Sequence, residues 1–244
     1  KSTLGMKMAM NIQEYGKRVL YLTFEQTVEE QERRLDAYRA GFNDNLLNSG
    51  QFNDVQYAAL EAGIEMTTNL PAMMISQDCM TMSEVLTKAD TFKPHVIIMD
   101  GVYMMDDERS GERNTSTALA NIVASSKFAA MNREITIVAI TQSTPARTKA
   151  EKLNADSVMG SRAFAQYANV LLGIERFESD KQFEHKMMRK LKILLSRSCP
   201  TLTVPLDWDY DKALFQENHD YILDEDGYND PDEEESEESS STPY

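Results

Sequence analysis

The sequence predicts an α/β fold with a mostly parallel, twisted sheet flanked by helices. Three short apolar runs support this prediction, at residues 19–24, 95–99 and 135–140. Each run is too short for a buried helix and is apolar almost throughout, as expected of strands covered by helices on both faces. Helical patterns separate the runs, and this alternation is typical of parallel α/β architecture.

The first predicted helix spans residues 1–15. Apolar side chains recur there at i, i+4 spacing, and Gly16 stands where a helix commonly ends. A charged helix follows the first strand at residues 27–39. Glu30 lies three residues after Thr27, which is the spacing of a capping box at the start of a helix.

The remaining elements follow from the same patterns. Residues 43–75 contain asparagine and glycine interruptions, and the one helix predicted within them spans residues 54–62. Two more helices are predicted at residues 83–89 and 115–132. The chain at 170–174 and 193–195 is expected to continue the sheet, and residues 201–209 with Phe215 to form a terminal hairpin-like segment.

Charge is distributed unevenly along the 244 residues. The formal net charge is −15, but ten acidic residues and no basic residue lie between positions 224 and 238, so the remaining chain carries −5. Mean charge therefore does not exclude a nucleic-acid partner. Residues 223–244 lack a core-forming pattern and are predicted to be a disordered acidic tail, which follows a single folded domain over residues 1–222.

Composition narrows the class of protein further. The longest apolar stretches are strand-sized, far below the roughly 18 residues of a spanning helix, so no membrane partner is predicted. The two cysteines, Cys79 and Cys199, lie far apart and match no metal-ligand spacing. Reduced thiols in a cytoplasmic protein are therefore expected.

The chain opens with Lys1, Ser2 and Thr3, the residue types that end the phosphate-binding motif G-x-x-x-x-G-K-[ST]. In that motif the lysine reaches the β- and γ-phosphates, and the next hydroxyl binds Mg²⁺. A match of only three residues is common by chance, so the prediction depends on the order of the elements that follow it. We therefore predict all three as nucleotide-binding residues and Ser2 as a Mg²⁺ ligand.

Polar residues follow three of the predicted strands: Glu25, Asp100 and Gln142. Ligands of open α/β sheets gather outside the carboxyl ends of the strands, so these side chains are expected to surround one phosphate site. There Glu25 could polarise a water, Asp100 could hold Mg²⁺ and Gln142 could sense the γ-phosphate. The alternatives are a helix-capping acid, an ordinary turn aspartate and a turn-stabilising amide, respectively.

Six segments together resemble one known family. They read KST, VLYLTFEQTVEEQERRL, PHVIIMDGVYMM, VAITQS, GSRAFAQYANVLLGIER and KILLSRSCP. In combination they are similar to the RecA-fold motor domain of DnaB-type replicative helicases, especially those of phages, over residues 1–216. The resemblance implies a RecA-like P-loop NTPase core that lacks its first strand in this chain.

The resemblance also implies an activity. ATP or another NTP would be the substrate, with Mg²⁺, and a homo-hexamer would hold the nucleotide between neighbouring subunits. Such a ring is expected to move 5′ to 3′ on single-stranded DNA and to unwind duplex DNA at a replication fork, in the host cytoplasm if a phage encodes it. A glycine-rich loop and a first strand are expected before Lys1, so the chain as given is expected to bind nucleotide poorly.

The resemblance assigns roles to individual residues. Glu25 matches the catalytic base, Asp100 the Walker B aspartate and Gln142 the γ-phosphate-sensing residue. Arg197 falls where the family places an arginine finger, which reaches the nucleotide of the adjoining subunit. Arg176 matches another basic position near the phosphates. Arg197 has a plain alternative as the partner of a surface carboxylate.

The chain departs from the family at two positions beside these residues. Leu195 replaces a lysine two residues before Arg197, which weakens the basic pair expected to act on the neighbouring nucleotide. Gly101 follows Asp100, where a bulkier polar residue is frequent in the family. Both departures concern the nucleotide site rather than the fold.

DNA contacts in the family come from two central loops, which correspond here to residues 106–114 and 143–161. Cationic loops that line a pore would bind a single strand without reading its sequence. The same side chains could equally be solvated surface charges. The predicted contacts are Arg109, Arg113, Arg147, Lys149, Gly160 and Arg162.

Two other classes of function remain open. One keeps the fold and makes the protein a RecA-like recombinase or a regulatory ATPase without unwinding activity. The other is a partner-docking module with a vestigial nucleotide site. The acidic tail has matching alternatives: a solubilising segment, a mimic of nucleic acid, or a docking peptide for primase, polymerase or single-strand-binding protein.

Overall fold

The computed structural model describes residues 1–143, 154, 158, 161–176, 188–209 and 214–219. Within these ranges the chain forms α-helices and two four-stranded sheets. The helices are α1 (Ser2–Glu14), α2 (Val28–Ala40), α3 (Asp44–Ser49), α4 (Asp54–Met66), α5 (Met82–Phe92), α6 (Ser116–Arg133) and α7 (Ser161–Tyr167). The strands are β1 (Val19–Thr23), β2 (Met73–Ser76), β3 (Val96–Asp100), β4 (Thr136–Ile140), β5 (Val170–Arg176), β6 (Met188–Ser196), β7 (Thr203–Asp209) and β8 (Leu214–Glu217).

The first sheet is parallel and has the strand order β2-β1-β3-β4. Every residue of β1 and β3 is buried. Alternate side chains of these two strands point to opposite faces: Leu20 and Ile97 join a core with α5 and α6, whereas Tyr21 and Ile98 join a core with α1 and α2. Helices therefore cover both faces, which confirms the predicted α/β architecture and explains the continuous apolar runs.

Helix boundaries follow local capping. Thr27 accepts a hydrogen bond from the backbone of Glu30, whose carboxylate accepts one from the backbone of Thr27, so the predicted capping box forms. Gly41 ends α2 in the left-handed conformation. The stretch at 43–75 holds more structure than predicted, because the short helix α3 and the edge strand β2 lie there beside α4.

The second sheet is antiparallel, with the order β5-β6-β7-β8. Among the described residues β5 pairs with β6 and with no strand of the first sheet, so the prediction that residues 170–174 and 193–195 continue the first sheet is not confirmed by direct pairing. β7 and β8 form the predicted terminal hairpin. In β5 exposed and buried residues alternate from Val170 to Gly173, a pattern typical of a sheet with one open face.

An apolar groove of about 650 Å³ lies between β4 and β5. Its walls include Ile137 and Ala139 of β4, Gly173 of β5 and Val123 of α6, and Lys1 lines it as well. β4 is only partly buried, in contrast to β3, and pairs with β3 alone among the described strands. Its other edge therefore faces the groove.

In the part of the chain that the structure describes, no helix combines the length and apolar character needed to cross a membrane. The predicted acidic tail, residues 223–244, lies outside the described residues, and its disorder stays a prediction.

Candidate nucleotide site

The carboxyl ends of β1, β3 and β4 bring three of the predicted residues to one edge of the first sheet. β1, β3 and β4 are consecutive in the sheet, and Asp100 ends β3 opposite Thr23 of β1. Phe24 donates its backbone N–H to the Asp100 carbonyl at 3.1 Å. Glu25 and Gln142 follow the two flanking strands, so the parallel order places their side chains on either side of Asp100.

The N-terminus of α1 lies at the same edge. Asp100 and Glu25 both lie within electrostatic range of the Lys1 backbone nitrogen. The first turn of α1 has no side-chain cap, so its backbone N–H groups and helix dipole suit an anion such as phosphate. Gly5 lets the helix approach the sheet, because a Cβ there would lie 2.5 Å from Cδ1 of Ile140.

Asp100 is buried, with 2% of its surface exposed. Tyr21 donates its phenolic O–H to Oδ2 at 2.8 Å. Burial raises the pKa of the Tyr21 phenol, and the Asp100 charge adds to that effect, so the phenol remains a hydrogen-bond donor. The Oδ1 atom of Asp100 has no hydrogen-bond partner among the described residues, so it is available to a cation or a water.

These donors fit Mg²⁺. The ion usually takes one or two protein oxygens and completes its octahedron with water and substrate phosphates. Asp100 offers one such oxygen through Oδ1, and Ser2, the other predicted ligand, is the first residue of α1 at the same edge. Among the residues that the structure describes, no cluster of three or more histidine, cysteine or acidic side chains could hold a metal by itself. A Mg²⁺ ion at this edge would therefore depend on nucleotide oxygens.

Glu25 and Gln142 are joined through a residue that no sequence motif singled out. Tyr103 donates its phenolic O–H to Oε1 of Glu25 and accepts a hydrogen bond from Nε2 of Gln142 at 2.5 Å. Nζ of Lys1 lies 5.8 Å from the centroid of the Tyr103 ring. Burial raises the pKa of Tyr103 to about 12, and the hydrogen bond to Glu25 contributes to the rise.

Gly101 makes room for Glu25. Its φ is +97°, a conformation that residues with a side chain rarely adopt. A Cβ at this position would lie 3.1 Å from Cγ of Glu25 and 3.5 Å from Cβ of Phe24. The departure from the family at this position thus has a structural reason, since glycine allows both the turn after Asp100 and the close approach of Glu25.

A polar network on α2 supports the loop that carries Glu25. Gln26 accepts hydrogen bonds from Nη1 of Arg34 at 2.6 Å and from Nε2 of Gln31 at 2.8 Å. The charge of Arg34 acts on the titration of Tyr21, the hydrogen-bond donor to Asp100. Arg34 therefore adds positive charge near the site, and it was not predicted because a helical arginine carries no motif.

Arg197 and Arg176 lie on the second sheet. The Arg197 guanidinium donates to the carbonyls of Ala168 at 3.0 Å and Gln166 at 2.5 Å, at the C-terminal end of α7. Arg176 is exposed at the end of β5, opposite Arg189 of β6. Within the described residues, neither predicted arginine has a hydrogen bond or ion pair with the carboxylates at the edge of the first sheet.

The predicted DNA contacts are only partly described. Arg109 is exposed in the first loop, whereas Arg113 forms a two-pronged ion pair with Asp106, at 2.6 and 2.8 Å, that closes the loop. Arg162 is exposed on α7. The second loop begins at Ser143, whose backbone pairs with Val158. The other predicted contacts, Arg147, Lys149 and Gly160, lie outside the described residues.

Comparison with known proteins adds a family to this geometry. The family model for the DnaB-like helicase C terminal domain matches residues 1–217. A solved structure described as an ATPase domain superimposes with a TM-score of 0.80 at 17% identity, covering 90% of this chain and 81% of that chain. A second, a DnaB-like replicative helicase described with its interactions with primase, gives a TM-score of 0.79 at 17% identity.

The two structural likenesses show the fold. The second covers 88% of this chain but only 55% of the helicase chain, so the chain spans about half of that protein. No curated protein matches the chain.

Proposed function

The chain belongs to the family of DnaB-like helicase C-terminal domains, and from this membership we propose that it is the NTP-driven motor of a replicative DNA helicase. One observation supports the proposal most directly. Glu25, Asp100 and Gln142 follow consecutive strands of the RecA-like sheet, at the edge that also holds the N-terminus of α1. Phosphoryl transfer needs a positioned water and neutralised phosphate charge, and these residue types can supply both.

The proposed role of each residue follows from the chemical group that it offers. Lys1 and the free N–H groups of α1 bind the phosphates of ATP or another NTP, and Ser2 with Asp100 holds Mg²⁺. When bound, Mg²⁺ neutralises charge on the β- and γ-phosphates. Glu25 orients the attacking water and accepts its proton, and Gln142 contacts the γ-phosphate. Thr3, which is buried, anchors the first turn of the helix.

The groove beside β4 indicates how the phosphate site at Lys1 is completed. It is apolar, it runs along an unpaired strand edge, and Lys1 lines it. We propose that a further strand fills the groove between β4 and β5, and that a glycine-rich loop leads from this strand into Lys1. The strand would cover the partly buried residues of β4, and the loop would supply further backbone N–H groups to the phosphates.

The proposed assembly is a homo-hexamer that encloses single-stranded DNA. Arg197 and Arg176 of one subunit would act on the nucleotide of its neighbour, because neither contacts the site within its own described chain. An arginine finger of this kind contributes roughly 10³ to 10⁵ in rate. The first loop, which carries Arg109 and Arg113, and Arg162 of α7 would contact the DNA backbone while the ring moves 5′ to 3′ and displaces the complementary strand.

Further partners are proposed from the helicase described above and from the charge of the acidic tail. The solved helicase described above interacts with primase. By analogy, we propose that primase, polymerase or single-strand-binding protein contacts this protein through the acidic tail, whose ten carboxylates would suit a basic surface.

The experiment is an ATPase and unwinding assay on the protein extended upstream of Lys1 by its natural sequence. We expect hydrolysis to rise with single-stranded DNA and a forked duplex to be unwound. Glu25→Gln should abolish hydrolysis, whereas the matched control Glu29→Gln, an exposed acid in the first turn of α2, should not.

The ring is tested separately. Arg197→Ala should lower hydrolysis while nucleotide binding persists, and Arg133→Ala, which removes an arginine from a surface ion pair with Asp90, serves as the control. Full activity of Arg197→Ala, or no stimulation by DNA, would contradict the proposed motor. Strand exchange without unwinding would indicate a recombinase, and no thermal stabilisation by nucleotide and Mg²⁺ would indicate a docking module.

A further inference from the structure

Tyr103 contacts three of the residues proposed to act on the nucleotide. Its hydroxyl donates to Glu25 and accepts from Gln142, and the Lys1 ammonium lies 5.8 Å from its ring centroid. One phenol therefore links the proposed base, the proposed γ-phosphate sensor and the phosphate-binding lysine. A phenolic hydroxyl has a single proton, so its donation to Glu25 fixes the direction from which it can accept from Gln142.

Tyr103 also lies where both candidate DNA loops begin. It belongs to a 3₁₀ turn, Val102–Met104, that follows Asp100 and precedes the first loop, closed by the pairing of Asp106 with Arg113. Its other partner, Gln142, directly precedes Ser143, whose backbone pairs with Val158 at the base of the second loop. A shift of either loop would thus act on the same phenol.

We propose that Tyr103 is a positioning residue that makes hydrolysis depend on the conformation of the two DNA loops. The inference rests on the proposed function of the site. In the described conformation the phenol holds Glu25 toward the 3₁₀ turn and ties it to Gln142. DNA that moves the loops would move Gln142 or Tyr103, and the Glu25 carboxylate would change its orientation toward the attacking water.

The strength of the contact is suited to this role. A hydrogen bond to a carboxylate is about twice as strong as a neutral one, so it can hold Glu25 in one rotamer. Tyr103 is only partly buried and its hydroxyl is near solvent, so loss of the hydroxyl leaves no deeply buried group unpaired. The phenol stays protonated through the neutral range, as tyrosine ordinarily does, and burial together with the bond to Glu25 raises its pKa further, to about 12.

The test is Tyr103→Phe in the upstream-extended protein, which removes the hydroxyl and keeps the ring beside Lys1. ATP hydrolysis is measured with and without single-stranded DNA. We expect the ratio of stimulated to unstimulated kcat to fall by about tenfold or more, while KM for ATP changes little, since the ring and the phosphate ligands remain. Tyr57→Phe, at an exposed tyrosine of α4, is the matched control.

A double-mutant cycle separates positioning from general damage. If Tyr103 acts between Glu25 and Gln142, the effects of Tyr103→Phe and Gln142→Ala on DNA stimulation should be non-additive, and thermal unfolding should be nearly unchanged in both. Equal DNA stimulation of Tyr103→Phe and wild type, or strictly additive effects, would overturn the inference alone. A wild-type protein without DNA stimulation would overturn the proposed function, and this inference with it.

Discussion

Replacing Gly101 by alanine is the most informative single change at the site. The residue has φ of +97° and lies between Asp100 and the turn that carries Tyr103. The added Cβ would lie 3.1 Å from Cγ of Glu25 and 3.4 Å from its Oε1. Ordinary van der Waals contacts begin at 3.4 Å, so the Glu25 side chain has to retreat by a few tenths of an ångström.

Two effects are expected, and a second glycine separates them. Backbone strain at a left-handed position costs about 1–3 kcal/mol for a residue with a side chain. Gly16 has φ of +77°, but a Cβ there would meet nothing within 4 Å, so Gly16→Ala should show the strain alone. A misplacement of about 1 Å can cost about 10²-fold in rate, so the smaller retreat of Glu25 should cost Gly101→Ala about tenfold in kcat beyond its control.

The assays are urea denaturation for both variants and single-turnover ATP hydrolysis in the upstream-extended protein. Both variants should lose stability to a similar extent, and only Gly101→Ala should lose the rate of the chemical step. If the two variants hydrolyse ATP at the same rate, the close approach of Glu25 to this glycine has no catalytic meaning and the reasoning fails.

Three further predictions concern hydrogen bonds elsewhere in the structure. Tyr21→Phe removes the 2.8 Å bond to buried Asp100 and should lower the free energy of unfolding by about 1.5–3 kcal/mol in urea denaturation; no change would mean that another group holds this carboxylate. Thr27→Ala breaks the capping box of α2 and should cost about 1 kcal/mol by the same assay. The hydrogen bond from Lys88 lowers the pKa of Asp78 to about 2, so its contribution is present above about pH 4 and is lost as the pH falls toward 2. Wild type should therefore exceed Lys88→Met in stability by at most about 1 kcal/mol at pH 7, because the Asp78 side chain is 68% exposed, and an undiminished difference at pH 2 would contradict this assignment.

Three of the four strands of the first sheet were predictable, because their pattern is local. The runs that became β1, β3 and β4 are apolar on both faces, and the capping box of α2 is visible as Thr27 and Glu30. The second sheet was not predictable in the same way. Strand pairing is a long-range choice, and the sequence around β5 and β6 contains no signal for whether their partner is β4 or each other.

The same contrast between local patterns and long-range contacts applies to the site. Polar residues after buried strands pointed to Glu25, Asp100 and Gln142, because the carboxyl ends of parallel strands meet at one edge. Tyr103 and Arg34 were not predicted, because their place in the site depends on how a 3₁₀ turn and a helix fold back toward Glu25. The spacing of Tyr103, three residues after Asp100 in a one-turn segment, was the only available signal.

The open edge of β4 has a practical consequence for handling this polypeptide. Among the described strands β4 pairs with β3 alone, and such an edge beside an apolar groove is a template on which another molecule can lay an extended segment. At high concentration the chain as given should therefore associate with itself through this rim, and sedimentation should show heavier species as concentration rises. The upstream strand proposed above should suppress them, because an internal strand competes at far higher effective concentration than a neighbouring molecule.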